Sequence, residues 1–128
     1  MKYLLILGFI FTNLSAELSP QIYQEWKAKA KEVLEIKVLD IKTHTKKSVK
    51  YIYATAKVVK IFRSKSHLKR GSIITIYYTK RAKQTPLILG ASEPITLKKS
   101  YIYKAYLKKE RLYLYTIAAG GKSFKQLN

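Results

Sequence analysis

The chain is 128 residues long and carries 26 lysines and arginines against 7 acidic residues, a formal net charge of +19. It contains no cysteine, which excludes disulfide bonds, thiol nucleophiles and cysteine-ligated zinc. The length fits one domain with one core, and the charge favours partners that carry negative charge.

The first 16 residues have the layout of a secretory signal peptide. Lys2 supplies a positive start, residues 3–11 are apolar, and small residues follow. The apolar stretch is shorter than the roughly 20 residues of a membrane-spanning helix; an uncleaved N-terminal anchor is the alternative. We predict cleavage after Ala16 and a periplasmic or secreted, non-membrane-spanning product. Its single domain, residues 17–128, carries +18, since the leader holds one lysine and no acid.

A helix is predicted at the start of this domain. A serine followed by a proline at residues 19–20 is typical of a helix N-terminus. Ile22, Trp26 and Ala30 then recur at four-residue spacing with lysines between them. The pattern predicts one amphipathic helix over residues 20–31.

Two bent strands are predicted next. The first, residues 33–41, changes phase after Val38, and the second, residues 49–62, changes phase near Val58. Phase changes of this kind indicate β-bulges or strong bends. The polar residues 43–48 are predicted to be the linker between the two strands.

Three further strands complete the predicted fold. They are residues 73–79, 101–107 and 112–117. Their connections are a turn at 64–71, a long loop at 80–99 and a hairpin connection at 108–111. A mobile, glycine-containing tail follows at 118–128, and Phe124 is expected to dock it onto the barrel. Five strands with one N-terminal helix predict a mainly β protein with a five-stranded OB-like barrel. A small antiparallel sandwich is the alternative.

Three runs of this sequence resemble the netrin-like modules, the superfamily that includes the tissue inhibitors of metalloproteinases. They are residues 54–63, 68–76 and 99–107, a strand with an apolar pair, a Leu-x-x-Gly turn into the next strand, and an aromatic-rich strand. The resemblance covers residues 33–117 and implies an OB-type barrel with a binding role. Those inhibitors chelate the protease metal with an N-terminal cysteine, which this chain lacks, so that activity is not implied here.

A catalytic or metal centre is not predicted. His44 and His67 lie in separate polar linkers, and Glu32 and Glu35 are interpreted as local charge balance beside lysines. Neither a Gly-x-Ser-x-Gly nor a Ser-x-x-Lys motif occurs in the predicted strands, and residues 64–67 are interpreted as a solvated turn. Residues 120–123 resemble the end of a phosphate-binding loop but lack its upstream glycine. We therefore predict a non-enzymatic protein without a cofactor.

Basic residues alternate with tyrosines along the predicted strands. Aromatic rings stack on bases and sugars while cations hold phosphates or carboxylates, so the pattern favours an anionic ligand. The alternative is that tyrosine is an ordinary strand residue and that half of these rings point into the core. On the first interpretation, the candidate binding residues are Tyr51, Tyr53, Tyr77, Tyr101, Tyr103, Lys50, Lys60, Lys69 and Arg70.

Several functions remain open at this point. The first hypothesis is an exported binding module for an anionic polymer, such as lipopolysaccharide, a glycan or nucleic acid. The second is a protein–protein interaction module, or an inhibitor, that engages an envelope or host protein through the barrel edge and the loop at 80–99. An envelope hydrolase is the third. High lysine content is also a proteome-wide trait of some bacteria, and the sequence leaves the oligomeric state open.

Overall fold

The computed structural model describes residues 19–81 and 94–128. The predicted signal peptide lies outside the described residues, and so does most of the predicted long loop. The helix α1 is Pro20–Lys29. The strands are β1 (Glu32–Lys46), β2 (Val49–Ser64), β3 (Ile73–Arg81), β4 (Ile102–Arg111), β5 (Leu114–Ile117) and β6 (Phe124–Gln126), with a 3₁₀ turn at Gly120–Lys122.

The first five strands close into a barrel. β2 pairs antiparallel with β1 and β3, β3 pairs parallel with β5, and β4 pairs antiparallel with both β5 and β1. The short β6 pairs with the part of β4 that β5 leaves uncovered. The prediction of a mainly β, five-stranded OB-like barrel with one N-terminal helix is confirmed.

The two predicted phase changes coincide with bulges. Leu39 is left without a partner in β1, because Val38 pairs with Ala56 and the next paired residue is Asp40. Val59 is left without a partner in β2, because Glu35 of β1 pairs with Lys60 and the next residue, Ile36, pairs with Val58. Each extra residue moves the next side chain to the other face, which bends these long strands around the barrel.

Two predicted connections were wrong in length. Residues 43–46 continue β1, and the hairpin turn consists only of Lys47 and Ser48, both with positive φ. A two-residue turn of this kind matches the twist of the flanking strands. Likewise, residues 108–111 belong to β4, and the turn lies at the following two residues. Both segments were predicted to be connections because their residues are polar. Strand residues of a twisted hairpin that face outward are also polar, so polarity alone does not identify a loop.

The core fills the inside of the barrel. Small alanines at positions 54, 56 and 105 make room for the rings of Tyr103 and Tyr115, all of them almost fully buried. The clustered core residues are Leu34, Ile36, Val38, Ile52, Ala54, Ala56, Val58, Ile74, Ile76, Tyr78, Leu97, Tyr103, Ala105, Leu107, Tyr115 and Phe124. Packing of these side chains supplies the main stabilisation in a protein without cysteine.

The tail docks onto the barrel through Phe124, as predicted, and it also adds a short strand to the sheet. Phe124 is only 5% exposed, and its ring centroid lies 5.4 Å from that of Tyr78. The Ser123 hydroxyl donates to the carbonyl of Gly120 and accepts from the N–H of Ala119. The residues that resemble a phosphate-binding loop therefore form a structural turn that delivers Phe124 to the core.

The helix packs against the outside of the barrel, beside the turn at Gly120–Lys122. Tyr23 is its buried residue and contacts Trp26 edge to face at 5.6 Å. Gly120 has φ +52° and approaches so closely that a Cβ there would lie 3.1 Å from Cζ3 of Trp26. Arg63 donates from one guanidinium nitrogen to the carbonyls of Ala28 and Ala30, 2.9 and 2.5 Å away, which satisfies the helix C-terminus.

Stability is expected to fall at high pH because of Tyr78. Burial raises the pKa of this tyrosine from 10.0 to about 12, so between these values the unfolded chain releases a proton that the folded chain retains. Tyr78 therefore makes its full contribution to the free energy of unfolding below pH 10, and about 2–3 kcal/mol of this contribution is lost as the pH rises to 12. Urea unfolding from pH 8 to pH 12 measures the loss. Tyr78→Phe should have a smaller loss over this range, and an identical loss in both proteins would contradict the assignment.

Candidate functional site

Three of the predicted tyrosines come together on the outside of β2 and β3. Tyr51, Tyr53 and Tyr77 alternate with buried residues such as Ile52 and Ile76, so they lie on the outward phase of their strands. We call these three tyrosines, together with His44 of β1, the tyrosine face. It lies on the strands that OB-type barrels commonly use for oligonucleotides and oligosaccharides.

The tyrosine face consists of two adjacent cross-strand ring pairs. Tyr53 and Tyr77 are register partners whose ring centroids lie 4.9 Å apart at 34°. His44 and Tyr51 are also register partners and stack at 4.9 Å and 19°. Tyr53 is 43% exposed, so part of its surface is available to a ligand. Paired rings hold one another in place, which reduces the ordering cost of binding a planar group.

The Tyr77 hydroxyl of this face stays protonated at physiological pH, because its pKa is raised. The pKa of Tyr77 is raised from its usual 10.0, first by desolvation and then by the neighbouring phenols of Tyr53 and Tyr51. A phenol that stays protonated both donates and accepts a hydrogen bond. The rings are therefore suited to hydroxyl, amide and phosphate groups of a ligand.

Both charge signs border the tyrosine face on β1. Lys42 is the register partner of Tyr53, and Asp40 is the register partner of Thr55. Further along the barrel wall, Lys37 pairs with Lys57. The ring pairs thus have one cation, Lys42, on their flank and the carboxylate of Asp40 nearby, an arrangement that can hold a ring-containing anion.

Other predicted site residues lie away from the tyrosine face. Lys50 alternates with the tyrosines and pairs with Lys80 at the end of the barrel. Lys60 lies at another part of the surface, with Nζ 4.9 Å from the ring centroid of Phe62. Lys69 and Arg70 are exposed in the connection between β2 and β3.

The two remaining tyrosines of the prediction are structural. Tyr103 is fully buried in the core, and its hydroxyl accepts from the N–H of Lys98 at 2.8 Å. Its proposed contact with a ligand was wrong, because it lies on the inward phase of β4. Tyr101 is half-buried before β4, packs against the core and has the Lys98 ammonium 5.5 Å from its ring centroid.

A concave surface elsewhere on the barrel was not predicted from the sequence. It is a cleft of about 490 Å³ between α1 and the outside of the barrel. We call it the basic cleft, and its charged and aromatic lining consists of Lys27, Phe62, Arg63, Lys104, Tyr106 and Lys125. These residues come from α1, β2, β4 and β6, so spacing along the chain carries no signal of their proximity. The only local signal is the lysine–tyrosine alternation at residues 104–106.

Glu32 forms a third polar cluster, at the base of β1. This carboxylate is 1% exposed and accepts from the hydroxyls of Ser64 and Ser66 at 2.5 and 2.8 Å, and from the N–H of Ser66 at 3.2 Å. Since the Ser66 hydroxyl donates to Glu32, it accepts from Tyr115, 2.7 Å away. Burial raises the pKa of Tyr115. The cluster ties the connection after β2 to β1 and uses both serines as donors to the carboxylate.

Membrane-spanning helices and metal-ligand clusters are both absent from the part of the chain that the structure describes. Among residues 19–81 and 94–128, no helix has the length and apolar character needed to cross a membrane. Within the same part of the chain, no three side chains of histidine, cysteine, aspartate or glutamate are grouped so as to hold a metal ion.

Comparison with known proteins adds no relative. No family model matches the chain, and neither curated proteins nor solved structures give a significant match. The class of protein is therefore defined by its architecture alone, an OB-like barrel with a tyrosine face on β2 and β3.

Proposed function

We propose that this protein is an exported, non-catalytic binding module that recognises an anionic polymer through the tyrosine face. The observation that carries the proposal is the pair of cross-strand ring contacts, each at 4.9 Å, on the outward side of β2 and β3. Rings placed side by side bind successive bases or sugars of a chain. The net charge of +19 favours a polymer that carries phosphate, sulfate or carboxylate groups.

The architecture supports the same proposal. An OB-like barrel offers the outside of its second and third strands to extended ligands, and the tyrosine face lies there. Lys42, the register partner of Tyr53, places a cation on the flank of the rings. Stacking then gives affinity for ring units, while the lysines give a salt-dependent contribution.

Replacing Tyr53 and Tyr77 together with alanine is expected to weaken polymer binding strongly. Each lost stacking contact costs about 1–3 kcal/mol, so the double variant should bind at least about 30-fold more weakly. Titrations of the purified protein with single-stranded DNA, dextran sulfate and lipopolysaccharide, repeated over a range of salt concentrations, measure the affinity and identify the preferred polymer.

The matched control for this experiment is Tyr113→Ala. Tyr113 is an exposed tyrosine in the turn between β4 and β5 and belongs to neither the tyrosine face nor the lining of the basic cleft. It should leave binding of the preferred polymer nearly unchanged. If both variants lose the same affinity, or if no polymer binds with a salt-dependent affinity, the tyrosine face is not the site.

A protein–protein role is the second candidate. The turn between β4 and β5 presents two large apolar side chains to solvent, Leu112 at 73% exposed and Tyr113 at 55% exposed. An apolar contact of this kind resists added salt, whereas contacts to a charged polymer weaken with salt. Retention of one partner protein from an envelope extract at high salt, together with failure of all three polymers, would favour this function. A netrin-like assignment remains a prediction that fits both candidates.

A further inference from the structure

The basic cleft brings like charges together on neighbouring elements. Lys104 of β4 is the register partner of Lys125 of β6 on one side and of Glu35 of β1 on the other. Glu35 in turn pairs with Lys60 of β2. Side chains of directly opposed residues lie on the same face, where like charges are destabilising. One carboxylate is therefore shared in this row by three lysines.

Lys27 of α1 brings a further cation into the basic cleft from outside this row. The Lys27 ammonium lies 5.1 Å from the ring centroid of Tyr106, and the Lys104 ammonium lies 5.6 Å from the same centroid. Lys104 is also 4.6 Å from the ring centroid of Phe62. Aromatic faces thus position these ammoniums, and a cation over a ring keeps donors for a further acceptor.

Arg63 and Phe62 enter the cleft because of a bulge in β2. Val33 pairs with Arg63 and Leu34 pairs with Ile61, which leaves Phe62 without a partner. A bulge re-aims side chains, and here both Phe62 and Arg63 are exposed. Two carbonyls of the helix C-terminus hold the Arg63 guanidinium through one nitrogen, so its other donors remain for a ligand.

We propose that the basic cleft binds a phosphorylated ligand, with the phosphate held by Lys27, Arg63, Lys104 and Lys125. A concave site with several cations concentrates positive electrostatic potential. A phosphomonoester is complementary to such a site, because it carries up to two negative charges and three acceptor oxygens. Arginine and lysine are the residues that bind phosphate most often. The volume of about 490 Å³ is larger than one phosphate requires and leaves space for the sugar or headgroup that carries it. The tyrosine face is not needed for this interaction.

The test is a titration of the full protein with sodium pyrophosphate, followed by ¹H–¹⁵N NMR. Saturable shifts are expected at the backbone amides of Arg63, Lys104 and Tyr106. The variant Lys27→Gln/Lys104→Gln should weaken pyrophosphate binding by about 100-fold, or roughly tenfold for each charge-assisted contact. Lys46→Gln/Lys47→Gln removes the same charge at the β1–β2 turn, the opposite end of β1 from Val33, which lines the cleft. This variant should change the affinity by no more than about twofold.

Two outcomes would overturn the proposal. The first is an absence of saturable shifts in the cleft, and the second is an equal loss of affinity in both lysine variants, which would mean that only net charge matters. Tyr53→Ala/Tyr77→Ala should bind pyrophosphate like the unsubstituted protein, so failure of the tyrosine face leaves this result intact. Vesicles of phosphatidylcholine with phosphatidic acid identify the source of the phosphate. If the protein sediments with these vesicles and the variant Lys27→Gln/Lys104→Gln does not, the phosphate belongs to a lipid headgroup. If the protein binds pyrophosphate but does not sediment with the vesicles, the ligand is a soluble phosphorylated compound.

Discussion

Phe124→Ala is expected to lower the free energy of unfolding by about 3–5 kcal/mol. The phenyl ring lies in the core against Tyr78, and its centroid is 6.4 Å from that of the Tyr103 ring. Its removal therefore leaves a cavity between two large rings. The loss also weakens the attachment of β6, because register pairing with Ala105 of β4 begins at this residue. Chemical denaturation followed by the fluorescence of Trp26 measures the change.

Leu127→Ala is the matched control for Phe124→Ala. Leu127 is a large apolar residue of the same tail and is exposed, so its removal should change stability by no more than about 0.5 kcal/mol. A cost below about 1 kcal/mol for Phe124→Ala would mean that the tail is not part of the cooperative fold.

Glu32→Ala is expected to destabilise the protein by about 3 kcal/mol. The substitution leaves two serine hydroxyls and one N–H without their common acceptor, and a hydrogen bond to a charged group contributes about 1.5–3 kcal/mol. The barrel itself should persist, because the core cluster does not include Glu32. Thermal and urea unfolding measure the loss.

Two further variants separate the role of the Glu32 carboxylate from that of charge alone. Glu110→Ala removes one negative charge from an exposed position of β4 and should be nearly neutral. Glu32→Gln keeps the shape but turns one acceptor into a donor that faces other donors, so an intermediate cost is expected. Equal stabilities of Glu32→Ala and Glu110→Ala would contradict a structural role for this cluster.

The architecture was predictable from the sequence because the alternation of apolar and polar residues along a strand shows which side chains face the core. A barrel needs long bent strands, and the phase changes at Leu39 and Val59 mark the bends. Turn positions were less accessible, since Thr43 to Lys46 are polar yet belong to β1. The docking of the tail was predictable because Phe124 is a large apolar residue in a polar segment, but its strand was not, since three residues are too few to show a period.

Of the candidate sites, only the tyrosine face was predictable from the sequence, because its tyrosines lie on two strands that are neighbours in the chain and in the sheet. Tyr51, Tyr53 and Tyr77 share a face because β2 and β3 are paired and period two fixes their side. Tyr103 has the same kind of sequence context but the opposite phase, so it is buried instead. The basic cleft depends on where α1 packs and on the tail strand, and no local pattern contains that information.

The closure of the barrel also governs how the chain reaches this structure. Glu32 meets Leu107 across the β1–β4 seam, and Thr75 meets Leu114 in the parallel β3–β5 pair, so partners distant in sequence must find each other. Such non-local pairing incurs loop-closure entropy before any contact compensates for it. We therefore expect the hairpin of β1 and β2, whose pairing is local, to form first, and the non-local pairing at the seam to limit the folding rate.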